Sequence, residues 1–188
     1  MNKLLLYHTG YQEIREPDIR HGRKNADFGQ GFYLSDDKEF AKRWAKERSG
    51  LSVWLNSYEL DPAGLKIKRF ARNEEWFGYI FANRSGSEDR LAEYDVIIGP
   101  IANDTIYDTL GITTSGFLTH EQATRTLLIG PVYEQTVIKT DKARSALRFL
   151  SAEILTSDEI AGYRDAVKQE EKQFQEEFAK LISEMLKL

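Results

Sequence analysis

The residues best suited to chemistry in this chain fall in two short stretches. Tyr7-His8-Thr9-Gly10 brings together an imidazole, a hydroxyl and a glycine. Arg23-Lys24-Asn25-Ala26-Asp27-Phe28-Gly29-Gln30-Gly31-Phe32-Tyr33 runs from basic and polar groups through two glycines into aromatic residues. A neutral imidazole both donates and accepts a hydrogen bond, and a phenol ring offers a flat apolar face for stacking. Glycines let backbone approach a flat or phosphorylated ligand closely, because no Cβ intervenes. Other chemistries are excluded. The chain has no cysteine, which removes thiol nucleophiles, disulfides, zinc fingers and iron–sulfur clusters. His8, His21 and His120 fit no His-Glu-x-x-His zinc pattern, so no metal is expected, and no Gly-x-Ser-x-Gly elbow occurs. Asp27-Phe28-Gly29 matches the kinase metal-binding triplet, but no catalytic-loop His-Arg-Asp precedes it.

These stretches need elements to hold them. With 188 residues, 41% of them apolar and 12% aromatic, the chain can build one sizeable core. The pattern predicts a buried strand over Lys3–His8, a long charged loop to Gln30, and a short strand over Gly31–Leu34. Ser35 is placed to cap a helix with an apolar stripe of Phe40, Ala41, Trp44 and Ala45, running to about Arg48. Strands follow around Val53–Tyr58 and Leu65–Phe70, separated by the turn signal Asp61-Pro62-Ala63-Gly64, which suggests a hairpin. A helix is predicted over Glu74–Asn83, a strand over Tyr94–Ile98 and a helix over Thr119–Leu128. Next come a strand over Gln135–Lys139, a short helix over Lys142–Leu147 and an extended stretch over Arg148–Leu155. From Ser157-Asp158-Glu159 onward, which supply the cap and first-turn acids, a single long helix is expected, with apolar residues from Ile160 to Leu188 recurring every three to four positions. Mixed strands and helices without a regular βαβ repeat make the class α+β, with a body over residues 1–155 and an amphipathic helix over 156–188.

Taken together, Tyr7-His8-Thr9-Gly10 at the end of the first strand and Gly29-Gln30-Gly31-Phe32-Tyr33-Leu34 ahead of a helix resemble the ADP-ribosyltransferase superfamily. The likeness is to its diphtheria-toxin and poly-ADP-ribose-polymerase type, whose first strand ends in His-Gly-Ser/Thr and whose second motif is Gly-x-Gly-x-Tyr. Asp27-Phe28-Gly29, the run Tyr94-Asp95-Val96-Ile97-Ile98-Gly99-Pro100-Ile101-Ala102-Asn103-Asp104, and the Gln135 strand before Lys142-Ala143 look like an uncharacterised bacterial domain family within it. The resemblance spans roughly residues 4–150. It implies a split, mainly antiparallel sheet with flanking helices that clasps NAD. His8 would bind ribose hydroxyls, the Thr9 backbone the nicotinamide carboxamide, and Tyr33 the nicotinamide ring, with Gly10, Asp27, Gly29 and Phe32 in the surrounding cofactor-binding motif. Arg23 and Asn25 suit the pyrophosphate by charge and position. The superfamily usually adds a glutamate on a later strand, which stabilises the developing cation. Here that position holds Gln135, with Glu134 beside it, and strand alternation allows only one of the two to enter the cleft. Glutamine orients but supplies no charge.

The implied activity is mono-ADP-ribosyl transfer from NAD to a protein or nucleic acid, in a bacterial toxin or defence effector. The alternatives are NAD hydrolysis and a non-catalytic interaction module. The net charge of −4 argues against coating nucleic acid through bulk charge. Residues 1–72, however, carry 14 Lys/Arg against 10 Asp/Glu, a local surplus that leaves a nucleic-acid acceptor open. The amphipathic tail is a candidate contact for a neutralising antitoxin or a second copy. No apolar run approaches the ~20 residues of a membrane span, and the apolar stretch after Lys3 is too short for an export signal, so a cytoplasmic protein is expected.

Overall fold

The structure is a computed structural model that describes residues 2–102, 125–126 and 129–186. Its strands are β1 (Leu4–Gly10), β2 (Phe32–Leu34), β3 (Trp54–Leu60), β4 (Ile67–Arg69), β5 (Val96–Pro100), β6 (Glu134–Ile138) and β7 (Leu147–Ile154). Its helices are α1 (Lys38–Lys42), α2 (Glu74–Arg84), α3 (Asp141–Ser145) and α4 (Ser157–Leu186). The strands form two sheets, ordered β1-β3-β7 and β2-β6-β5-β4. All pairs are antiparallel except β4–β5. The class is α+β, with a long C-terminal helix.

Alternation along the strands sorts the side chains into three cores. Leu6, Tyr58, Leu60 and Leu147 from the first sheet meet Phe32, Leu34, Val96, Ile98 and Ile138 from the second, so the sheets share one core between them. The other face of the second sheet, through Ile97 and Val137, packs on Trp76, Phe77, Tyr79 and Ile80 of α2 and on Phe28. The other face of the first sheet, through Val53 and Leu55, is covered by Ala41, Ala45 and Ile160. Each fully buried aliphatic or aromatic side chain contributes about 1.5–3 kcal/mol relative to exposure.

Besides this shared core, a backbone bridge joins the edges of the two sheets. Tyr7 and Ser35 form an isolated antiparallel bridge, with Tyr7 N–H donating to Ser35 C=O at 2.8 Å and Ser35 N–H to Tyr7 C=O at 2.9 Å. Beyond this bridge β1 and β2 part.

Several expectations need correction. The strands around Val53–Tyr58 and Leu65–Phe70 do not form a hairpin: β3 lies between β1 and β7, whereas β4 runs parallel to β5 in the other sheet. The turn signal was real, but Asp61 N–H bonds Ala146 C=O and the chain crosses between sheets. Helix α1 is capped by Asp37, whose side chain accepts from Phe40 N–H, and it ends at Lys42. Ser35 instead pairs with β1. Thr156, not Ser157, caps α4: its Oγ1 accepts from Glu159 N–H while the Glu159 carboxylate accepts from Thr156 N–H, a reciprocal capping box. The predicted helix over Thr119–Leu128 lies outside the described residues apart from Arg125 and Thr126. Among the described residues no helix is long and apolar enough to cross a membrane.

Candidate functional site

His8, Thr9 and Tyr33, singled out from the sequence, lie on the two strands where β1 leaves β2. Backbone groups of an antiparallel strand point alternately to its two neighbours. Tyr7 spends its N–H and C=O on Ser35, on the β2 side. Those of Thr9, two residues on, therefore face the same side, where β2 has diverged, and among the described residues nothing pairs with them. The Thr9 hydroxyl is turned away, donating to Ala41 C=O of α1 at 2.6 Å. Thr9 thus offers a donor and an acceptor on a bare strand edge, a pair that matches a carboxamide.

His8 spans the gap. Its Nδ1 lies 2.7 Å from Tyr33 C=O. A carbonyl only accepts, so Nδ1 carries the proton and Nε2 is left as an acceptor. The ring rests on Phe32, with centroids 4.5 Å apart. Nε2 faces Gly10, where a Cβ would sit 3.4 Å away. Burial holds the imidazole below its usual pKa, outweighing the opposite effect of the Tyr33 carbonyl. A neutral ring whose acceptor nitrogen has no hydrogen-bond partner among the described residues suits a ribose hydroxyl.

Tyr33 lies on the opposite face of β2 from Phe32, and its ring packs against the core that Phe28, Tyr79, Ile97 and Val137 build beside α2. Its hydroxyl donates to Gly29 C=O at 2.7 Å and accepts from Phe28 N–H at 3.0 Å. Burial raises its pKa. The phenol therefore shapes the 27–29 turn. That turn is braced from beneath by Lys139, which donates to Phe28 C=O and pairs with Asp89. Gly29 has φ +75°, and a Cβ there would sit 2.6 Å from the Asp89 carboxylate, so only glycine fits. Burial works against the Asp89 charge, but hydrogen bonds from Lys139 and Tyr79 outweigh it and hold the carboxyl below its usual range.

Strand register settles the geometry of Gln135 and Glu134. Tyr33 pairs with Val137 and Gly99 with Gln135, so Gln135 shares a face with Val137 and Tyr33. It is 8% exposed, and its Nε2 donates to Asp27 Oδ2 at 3.1 Å. Glu134 lies on the other face and pairs with Arg69 of β4 at 2.9 Å. Phe32 is buried in the core as a support beneath His8. Arg23 and Asn25 are exposed on the loop before the turn.

Some site residues escaped the sequence reading. Asn56, fully buried on β3 opposite His8, accepts from Ile14 N–H at 2.8 Å and donates to Gln12 C=O at 3.1 Å, which fixes the loop leaving β1. Arg84, in the last turn of α2, holds Asp27 from behind. Each acts on a residue more than 40 positions away, and only the buried-polar rule, applied after the fold is known, would have found them.

Residues 4–149 match the family described as Protein of unknown function (DUF3990). The chain belongs to this family. No curated protein matches it. The DUF3990 match takes in β1, the 27–33 turn and β6, and ends within β7, so the whole gap lies inside it. Among the described residues of this DUF3990 member no group of three or more His, Cys, Asp or Glu could hold a metal ion.

Proposed function

We propose that the protein binds NAD along the gap between β1 and β2 and transfers its ADP-ribose to a macromolecular acceptor, protein or nucleic acid, on a split-sheet fold of the ADP-ribosyltransferase kind. The observation that carries this reading is the bare Thr9 edge beside a neutral His8 that is itself tied to the Tyr33 carbonyl. A carboxamide, a ribose hydroxyl and an aromatic ring are the three parts of the nicotinamide nucleoside; Thr9 and His8 have the chemistry to meet the first two, and the resemblance assigns the third to Tyr33.

In the reaction the bond between ribose C1′ and the nicotinamide nitrogen breaks. Nicotinamide leaves as a neutral molecule with the bonding pair, the acceptor bonds to C1′, and the acceptor gives up one proton. The chain's part is orientation. Thr9 fixes the carboxamide, His8 Nε2 accepts from a ribose hydroxyl, and the Tyr33 ring confines the leaving group. Gln135 brings no charge to the cation side, which fits single transfer better than polymer formation. A toxin or defence role, with a neutralising partner, is the setting this activity would suit.

The test is incubation of the purified protein with labelled NAD and lysate, followed by separate protease and nuclease treatment. Label retained on one polymer class identifies the acceptor, and free ADP-ribose alone points to hydrolysis. Tyr33→Ala is expected to lower transfer about 100-fold or more, with Tyr33→Phe as the ring-preserving control. Transfer that survives Tyr33→Ala, or a wild-type protein that neither binds nor consumes NAD, overturns the proposal; the latter result leaves a binding module.

A further inference from the structure

The Gln135 amide is not free to rotate. Asp27 stands between three donors: Arg84 Nε reaches Oδ1 at 2.7 Å, Gln135 Nε2 reaches Oδ2 at 3.1 Å, and Ala102 N–H reaches Oδ2 at 3.3 Å. The Asp27 and Arg84 side chains are 12% and 8% exposed. Asn83 Nδ2 also donates to Asp27 C=O at 3.0 Å, so α2 holds both the backbone and the carboxylate of this residue. Turning Gln135 over would set its carbonyl oxygen against a carboxylate, which has no proton to give. The amide therefore has one orientation, with NH2 toward Asp27 and Oε1 away from it. Among the described residues Oε1 has no hydrogen-bond partner.

From this we infer that Asp27 is a positioning residue: it aims the Gln135 carbonyl oxygen, as a fixed acceptor, at a ribose hydroxyl of the bound dinucleotide. The inference rests on the NAD-binding reading above. It also accounts for the glutamine. A glutamate at position 135 would face the Asp27 carboxylate directly and repel it, whereas glutamine both donates backward and accepts forward. The negative charge of the site lies one hydrogen bond behind the residue that meets the ligand, with Arg84 as its counter-ion.

An exchange of the two groups tests this. Asp27→Asn removes the carboxylate, Gln135→Glu introduces one beside it, and the double variant D27N/Q135E keeps one carboxylate and one amide at the same contact with direction reversed. Nicotinamide release is measured against NAD concentration for all four proteins, alongside urea unfolding. The positioning role predicts that Asp27→Asn and Gln135→Glu each lower kcat about tenfold or more while KM shifts less than about threefold. It predicts that the double variant returns to within about threefold of wild type. Should Asp27→Asn fold poorly, the double variant is still expected to exceed Gln135→Glu in both rate and unfolding midpoint. An Asp27→Asn protein as active as wild type, or a double variant no better than Gln135→Glu, overturns the inference and leaves the NAD reading standing. A wild-type protein inert toward NAD overturns both.

Discussion

His8 shows how one hydrogen bond fixes a chemical role. With Nδ1 committed to the Tyr33 carbonyl, the ring can meet a ligand only through Nε2, and only as an acceptor while it stays neutral. Its folded-state pKa is lowered by burial, so between that value and the unfolded pKa of 6.5 the unfolded chain binds more protons than the folded one. Stability therefore rises with pH through this window and levels off above about 6.5. Asp89 and Asp95, whose carboxyls are held low, add their own losses only at more acidic pH, below about 4. Urea midpoints measured from pH 5 to 7.5 are expected to climb in wild type, and the climb is expected to flatten in His8→Gln. An unchanged slope in that variant would mean His8 is charged in the fold. At the same scale Asn56→Ala is expected to cost about 1–3 kcal/mol, since it removes a fully buried amide and takes the partner from the half-buried Ile14 N–H; urea unfolding gives the value.

At the scale of elements, the gap depends on how tightly β2 sits against β6. A Cβ at Gly31 would stand 2.5 Å from Val137 Cγ1 and 2.7 Å from Ile138 C=O, and one at Gly22 would stand 2.5 Å from Gly31 C=O. Gly31→Ala must therefore push β2 from β6, with an expected loss of about 1–3 kcal/mol in urea unfolding and weaker NAD binding by titration calorimetry. The sequence announced these elements with uneven clarity. Alternation and glycine punctuation were enough to find β1, β2, β5, β6 and β7 to within a residue or two, and β5 and β6, nearly all buried, stand out most clearly. Asp37 lost its cap to Ser35 in the reading because both types cap well, and only the bridge from Ser35 to Tyr7 decides between them. Partners were harder to see than elements. The turn at Asp61–Gly64 looks alike whether the next strand folds back or crosses to another sheet, and β4 crosses. His8, Thr9 and Tyr33 were legible as a group. The restraint of Gln135 by Asp27 was not, since it joins residues 108 positions apart.

Over the whole molecule, α4 is fastened by its first half. Ile160 enters the core beneath the first sheet, Tyr163 donates to Glu39, and Glu170 pairs with Arg43 at 2.6 Å and accepts from Tyr133 at 2.9 Å. Arg43 is 12% exposed, so Glu170→Gln leaves a largely covered guanidinium with a weaker partner. An expected loss of about 1 kcal/mol in urea unfolding checks this, and a midpoint equal to wild type would show that the helix is held by its apolar contacts alone. The chain also returns, through β7, to the sheet it began. Until residues 147–154 have left the ribosome, β3 keeps one edge bare, and β2 waits as long for the strand 100 residues downstream that flanks it. A nascent chain therefore cannot complete either sheet early, and whatever the gap does in the cell begins only once synthesis of the body is almost finished.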